Sequence, residues 1–190
     1  EIGAAVAEAR RAGQVAMSFV RDAREPMLGN PLGVGLSWRA GEAVYVPIAH
    51  SPLENPGAMP GAEVLALLAP LFEDPQVRKL SARGKHDRIL LCRKGLGCES
   101  LAFDALVASY LLNPGKRNFS MDDLAMEFLS ERPRSTTALI EGAGPAPMMA
   151  AAEAAAQEAD LTLRLSGPLA KRLEEEGLTE IYRTSHSARV

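Results

Sequence analysis

Residues 85–114 read KHDRILLCRKGLGCESLAFDALVASYLLNP, and this stretch decides the fold. It predicts a helix from about Asp87, a strand at residues 100–103 and a second helix at residues 104–112. Asp87 and Asp104 open the two helices, where a carboxylate is favoured by the free N–H groups and by the helix dipole. The same side chains stand where an α/β enzyme would hold a metal or a substrate. These two positions alone do not distinguish a helix-start role from a metal-binding or substrate-binding role, so the other segments of the chain are needed.

The segments before this stretch read as one helix, three strands in series and a second helix leading to a fourth strand. Gly13 closes the first helix in the manner of a C-terminal cap, and Ala40–Gly41 form the two-residue turn of a hairpin. The predicted elements are a helix at 1–12, a strand at 14–20, hairpin strands at 34–39 and 42–49, a loop at 50–61, a helix from 62 and a strand at 77–80.

The segments after it are helical. Asn113–Gly115 ends the helix of residues 104–112, and Ser120 with Asp123 resembles a capping box before a helix at 124–129. Residues 131–147 read as irregular, and residues 148–177 read as helix with a kink or break at Gly167–Pro168. Three strands in series, followed by strands alternating with helices, predict a mixed sheet covered by helices.

Composition limits the possible functions. The chain has 190 residues, enough for one self-sufficient domain, and its net charge of -3 excludes a global positive field that would hold a phosphate backbone. Two cysteines are too few for a disulfide framework, which favours a reduced, cytoplasmic compartment, and Cys92 is expected to be buried on an apolar helix face. No apolar run is long enough to span a bilayer. The first residues also lack the pattern of a signal peptide, so contact with a membrane is not expected. The first residue is Glu1 rather than Met, which suggests a piece of a longer chain.

Seven segments of the chain are informative together: VGLSW (34–38), AVYVPIAH (43–50), LLAPLFED (67–74), KHDRILL (85–91), LAFDALVASYLLNP (101–114), MDDLAMEFL (121–129) and EADLTLRL (158–165). They resemble the 3'-5' exonuclease domain of family A DNA polymerases, the bacterial DNA polymerase I group. They follow the family's order, and the resemblance covers residues of about 15 to 180. The resemblance implies an α/β, ribonuclease-H-like fold with a mixed central sheet of about five strands, the first three antiparallel, covered by helices. It implies one domain over residues 1–180 and a C-terminal tail at 181–190, where the polymerase domain would begin.

The resemblance also implies a two-metal active site with a carboxylate ligand from each of four positions. Two divalent cations in such sites lie roughly 4 Å apart, one activating water and the other stabilising the leaving 3' oxygen. In this chain Val20 is aligned with the metal-bridging aspartate and Asp22 with the glutamate that follows it. Asp87 keeps its aspartate, and Glu158 replaces the last one.

Three further positions depart from the family pattern. Arg83 replaces an asparagine, His86 an aromatic residue, and Ala154 the tyrosine that orients the attacking water. Asp160 is not taken as the ligand, because residues two apart on a helix point roughly 200° apart. The implied metal set is therefore Asp22, Asp87 and Glu158, forming a site that is weak or absent.

These departures predict a degenerate exonuclease domain that serves as a structural support for a polymerase domain in DNA replication and repair. Whether it is an enzyme is left open. One alternative is a weak exonuclease on single-stranded DNA 3' ends, using Mg²⁺ or Mn²⁺; without such activity no cofactor is expected. A second alternative is a stand-alone nucleic-acid-binding module. Outside catalysis, Asp87 and Asp104 would be helix-start residues and Asp22 a solvated loop residue. The expected location is the bacterial cytoplasm.

Overall fold

A computed structural model describes residues 1–25, 27–116, 119–142 and 147–186 of the chain. The elements follow in the order α1 (Ile2–Ala12), β1 (Gln14–Arg21), β2 (Pro31–Arg39), β3 (Glu42–Pro47), α2 (Gly61–Phe72), β4 (Arg78–Ser81), α3 (Gly84–Arg93), β5 (Leu101–Asp104), α4 (Ala105–Leu112), α5 (Met121–Leu129), α6 (Thr137–Ile140), α7 (Met148–Glu175) and α8 (Thr179–His186).

The five strands form one mixed sheet in the order β3-β2-β1-β4-β5. β1 pairs antiparallel with β2, and β2 antiparallel with β3, whereas β1 pairs parallel with β4 and β4 parallel with β5. The predicted mixed sheet, with its first three strands antiparallel, is therefore confirmed. β1 is the central strand, because it joins the antiparallel half to the parallel half.

Side chains of β1 alternate between two apolar clusters, one on each face of the sheet. Val15, Met17 and Phe19 are buried in a cluster with residues of α1, α2 and α3. Ala16 packs on the opposite face with α4, α5 and α7, and Val20 packs there with the first turns of α7. Even-numbered positions of β1 therefore face α7.

Helix α7 is the longest element and runs unbroken through Met148–Glu175. A break at Gly167–Pro168 is excluded, since both residues lie inside the helix. Proline removes one backbone hydrogen bond, but Leu165, Leu169 and Leu173 are buried on the core side and hold the last turns against the fold.

Gly35 on β2 lets α7 lie directly against the sheet. A Cβ atom at this position would come 2.3 Å from the carbonyl oxygen of Ala155, a backbone atom of α7. No side chain can fill that space unless the helix moves. This contact positions the middle of α7, including Glu158, over the sheet.

The stretch at residues 85–114 has the predicted helix–strand–helix order. α3 begins at Gly84, three residues before the predicted start, so Asp87 lies in the first turn rather than at the cap. The predicted cap at Asp104 is confirmed, because its side chain accepts a hydrogen bond from the Val107 N–H at 3.0 Å. Cys92 is exposed on α3, and its predicted burial is wrong.

Helix α8 crosses the predicted boundary between a domain at 1–180 and a tail at 181–190. Tyr182 is buried in the core, and its hydroxyl accepts a hydrogen bond from the Asp104 N–H at 2.7 Å. Burial raises the pKa of Tyr182, so its hydroxyl stays protonated. Residues up to Tyr182 thus belong to the packed domain, and the last four residues lie outside the described ones. Within the described ranges, no helix is long and apolar enough to cross a membrane.

We expect Gly35→Ala to destabilise the chain by about 1–3 kcal/mol or more, because its methyl group would enter the backbone of α7. Gly3→Ala is the matched control: nothing lies within 4 Å of a Cβ at Gly3, which is in helix α1. The control should be neutral or stabilising by up to about 1 kcal/mol. Urea unfolding followed by circular dichroism measures both. Equal effects of the two substitutions would contradict the close approach of α7 and β2.

Candidate functional site

The candidate site lies where the parallel strands β1 and β4 run toward the start of α3, underneath α7. Strand β1 contributes Ser18, β4 contributes Ser81, α3 contributes Asp87 and α7 contributes Glu158. All four side chains are buried. Parallel strands end at the same edge of a sheet, which is where α/β folds place their binding residues.

An ion pair between Arg83 and Glu158 occupies the centre of the site. Arg83 Nη1 donates to Glu158 Oε1 at 2.7 Å, and the Arg83 side chain is only 11% exposed. Ser18 Oγ donates to the same oxygen of Glu158 at 3.3 Å. On its other side, Arg83 Nη2 lies 3.4 Å from Glu141 Oε1. The carboxylates of Glu141 and Glu158 raise the pKa of the Arg83 guanidinium despite its burial, so it carries a full positive charge.

Asp87 is held by Ser81 on the other side of this ion pair. Ser81 Oγ donates to Asp87 Oδ2 at 2.6 Å and accepts from the Arg83 N–H at 2.9 Å. Burial, with a smaller contribution from the nearby Glu158, raises the pKa of Asp87 to about 7 against the opposing effects of Ser81, Arg21 and Arg83. Near neutral pH this carboxyl group is therefore partly protonated.

A second arginine lies beside Asp87. Arg21 ends β1 with only 3% of its surface exposed, and its charge lowers the pKa of both Asp87 and His86. Its Nε and Nη1 atoms have no hydrogen-bond partner in the described part of the chain. Sequence reasoning missed Arg21, Ser18, Ser81 and Glu141. The apolar alternation of β1 was the available signal for Ser18, since Ala16, Ser18 and Val20 share one face.

The structure brings Asp87 and Glu158 into one site but places Asp22 elsewhere. Asp22 is exposed, and its carboxylate accepts hydrogen bonds from the Asn30 N–H at 2.6 Å and from Asn30 Nδ2 at 3.1 Å. It lines a separate cavity of about 660 Å³ beside α2. Asp22 lies beyond the last residue of β1, and its carboxylate binds Asn30 of its own loop. The side chain of β1 that contacts Glu158 is that of Ser18.

The remaining predicted positions are apolar or displaced from the ion pair. Val20 is fully buried against Ala151 and Ala155 of α7, and Ala154 is fully buried as well. His86 lines a cavity of about 290 Å³ with Arg83 and Tyr110, next to the first turn of α3. Burial, followed by the charges of Arg21 and Arg83, lowers the pKa of His86.

The residues present do not fit the two-cation centre that the resemblance implies. Among the described residues, no group of three or more histidine, cysteine, aspartate or glutamate side chains is arranged to hold a metal ion. Hard divalent cations need several oxygen ligands, most of them anionic. Here Glu158 Oε1 already accepts from Arg83 and Ser18, and Asp87 accepts from Ser81.

The raised pKa of Asp87 predicts a specific pH dependence of stability. The unfolded chain releases this proton near the ordinary aspartate pKa of 3.8, and the folded chain releases it at about 7. The stability contributed by the bound proton is therefore complete below the lower value and is lost as the pH rises to the higher one. Asp87→Asn removes this titration but keeps an oxygen for Ser81. We expect its stability relative to the natural protein to increase between about pH 4 and pH 8, measured by urea unfolding. Parallel pH profiles would contradict the raised pKa.

The amino-acid sequence matches a known protein family. Residues 4–174 match the model of the 3'-5' exonuclease domain of family A DNA polymerases. DNA polymerase I of Pseudomonas aeruginosa is 32% identical over 154 residues, which cover 75% of this chain and 16% of that protein. The chain thus spans 16–17% of the length of the first two curated relatives it matches.

Two solved structures show the same fold. One is the POL domain of Pol1 from M. smegmatis in complex with DNA primer-template and dNTP, with a TM-score of 0.70, 20% identity, and coverage of 96% of this chain and 28% of that one. The other is Brucella melitensis NrnC with bound Mg²⁺, with a TM-score of 0.68, 20% identity, and coverage of 92% and 80%. The expected ribonuclease-H-like architecture is confirmed. The chain therefore belongs to the family of 3'-5' exonuclease domains found in DNA polymerase I.

Proposed function

We propose that this domain does not hydrolyse DNA and acts as a structural support for a polymerase domain in DNA replication and repair. One observation carries the proposal: the Arg83 guanidinium lies 2.7 Å from Glu158, inside the group of side chains that would have to hold the metal ions. In this proposal the domain works in the bacterial cytoplasm, with the polymerase domain as its partner.

The chemistry of the site supports the loss of hydrolysis. Two-metal phosphodiester cleavage needs anionic oxygens that hold both cations in line with the attacking and leaving oxygens. Neither the hydroxyl of Ser18 nor the side chain of Val20 supplies such an oxygen. Asp87 is partly protonated near neutral pH, and Arg83 places a positive charge where a cation would be repelled.

The intact framework supports the structural role. The five-stranded sheet, the long helix α7 and the cap at Asp104 are complete, although several side chains that the family resemblance implies for hydrolysis are replaced. A domain retained only for hydrolysis would have no need of a packed core once its ligands were lost. Contact with a single-stranded DNA 3' end is expected to be weak, since the net charge is -3.

We expect no metal-dependent release of 3' nucleotides from a labelled single-stranded oligonucleotide in the presence of Mg²⁺ or Mn²⁺. An active exonuclease domain of the same family, assayed in parallel, is the positive control. Nucleotide release that depends on added metal and disappears in EDTA would overturn the proposal.

A weak exonuclease remains the second candidate, because the carboxyl groups of Asp87 and Glu158 still lie in one site, beside Arg83. It would use Asp87 and Glu158 as the remaining ligands. Asp87→Ala decides between the two candidates. Residual activity that falls in this variant supports the weak enzyme, whereas equal traces of activity in both proteins point to a contaminating nuclease.

If the domain supports the polymerase domain, a substitution that disturbs its packing should lower primer extension more than a substitution in the candidate site. In a chain that includes the polymerase region, Gly35→Ala should lower primer extension at elevated temperature, because it disturbs the contact of α7 with β2. Asp87→Asn in the same chain should leave primer extension unchanged. Equal primer extension by all three proteins, with the Gly35 variant shown to be unfolded in this domain, would contradict a supporting role.

A further inference from the structure

The cavity of about 660 Å³ beside α2, called here the α2 cavity, lies apart from the Arg83–Glu158 ion pair. It opens to solvent between the start of β2, the residues that follow β3, helix α2 and the residues that follow α3. Its lining residues Ile48, Leu65 and Leu96 belong to, or pack against, the apolar cluster on the face of the sheet that carries α1, α2 and α3. Glu158 lies on α7, on the opposite face. The α2 cavity is therefore a separate site.

Most of the wall of the α2 cavity is apolar. Eight of its twelve lining residues have apolar side chains, among them Leu32, Ile48, Leu65 and Leu96. All but Ile48 of these four are only partly buried, so the protein itself leaves part of their apolar surface uncovered. Removing such surface from water is favourable, and a cavity of this volume accepts a drug-sized molecule. The wall therefore favours an apolar ligand body.

The polar end of the α2 cavity is formed by Asp22, Asn30 and Lys94. Both carboxylate oxygens of Asp22 are occupied by Asn30, at 2.6 Å from its N–H and at 3.1 Å from its Nδ2. The Lys94 ammonium donates one hydrogen bond, to Asn30 Oδ1 at 2.8 Å. Its other two N–H bonds have no partner within the described part of the chain. The group left for a ligand at this end is therefore a positively charged donor.

The position of this polar end is fixed by the residues around it. Gly29 and Asn30 are tied to the end of α3, because Arg93 Nη1 donates to the Gly29 carbonyl oxygen at 2.6 Å and Lys94 binds Asn30. Helix α2 begins at Gly61, in the wall of the cavity, and its start has no side-chain cap. The N–H groups at a helix start favour negative charge. The start of α2 and Lys94 thus both complement an anion.

We propose that the α2 cavity binds a small amphiphilic anion, with its apolar body against Leu32, Ile48 and Leu65 and its oxyanion head beside Lys94. An aliphatic carboxylate is the simplest member of this ligand class. The proposal goes beyond the supporting role and does not depend on it.

Binding is measured with the fluorescent dye 8-anilinonaphthalene-1-sulfonate, which joins an aromatic body to one sulfonate group. We expect the natural protein to bind one dye molecule per chain in a saturable manner. Ala66→Phe should abolish this binding, because Ala66 lines the cavity and the larger ring would fill it. Ala4→Phe is the matched control, since Ala4 is exposed on α1 and is not among the lining residues. This control should bind the dye as the natural protein does.

A second variant tests the role of the positive charge. Lys94→Met keeps an apolar stem but removes the ammonium group, so the dissociation constant of the sulfonate dye should rise by roughly three- to tenfold. The dissociation constant of the uncharged dye N-phenyl-1-naphthylamine should not change, and Lys94→Arg should retain affinity for the sulfonate dye. Lys171→Met is the matched control, since Lys171 pairs with Glu175 on α7 and its side chain is 78% exposed.

Competition separates two common sources of an oxyanion head. Decanoate has an aliphatic body and a carboxylate, so it should displace the sulfonate dye. The nucleotide dAMP carries its phosphate on a polar sugar and base, so it should not displace the dye at the same concentration. Displacement by dAMP without displacement by decanoate would overturn the proposal.

The proposal is also overturned if Ala66→Phe and Ala4→Phe bind the sulfonate dye equally, or if Lys94→Met leaves its affinity unchanged. Circular dichroism shows whether each variant is folded. If Ala66→Phe does not fold, the two dyes on Lys94→Met decide the matter, because Lys94 is exposed and lies outside the core. A negative result leaves the proposed function intact, since that function is tested by nuclease activity and primer extension.

Discussion

The contact between helix α7 and strand β2 at Gly35 is the constraint on which the rest of the structure depends. Because a glycine faces the backbone of Ala155, the helix lies flat on the sheet, and its side chains reach the central strands. Ala151 and Ala155 then pack on Val20, and Glu158 meets Ser18. Small residues on both elements make this approach possible, since larger side chains would hold the two backbones apart.

This close approach also determines the chemistry of the site. It places the buried carboxylate of Glu158 at the edge of the sheet, and burial of that charge requires a compensating partner. Arg83 supplies it from the segment between β4 and α3. The result is a pocket whose charges are balanced within the chain, although the backbone remains that of an exonuclease. Arg83 and Glu158 therefore depend on each other, because either one alone would be a buried charge without compensation.

A second centre of organisation is Asp104, at the junction of β5 and α4. Its side chain caps α4 through Val107 and also accepts hydrogen bonds from the backbone N–H groups of Gly84 and Lys85 at the start of α3. Its own backbone N–H donates to Tyr182 of α8. One carboxylate thus joins two helix starts, which gives this aspartate a structural role. Burial raises its pKa, against the effect of those hydrogen bonds.

The amino-acid sequence by itself determined the order of helices and strands, the mixed sheet, the cap at Asp104 and the membership of the family. These follow from local periodicity, turn residues and ordered motifs, which act over a few positions. Only the tertiary structure decided which side chains meet. Arg83 and Glu158 are 75 positions apart, and Ser18 and Glu158 are 140 apart, so no local pattern could pair them. The same limit explains why Asp22 looked like a ligand: its distance from Asp87 depends on where β1 ends and on how α7 packs, and packing is a property of the whole fold.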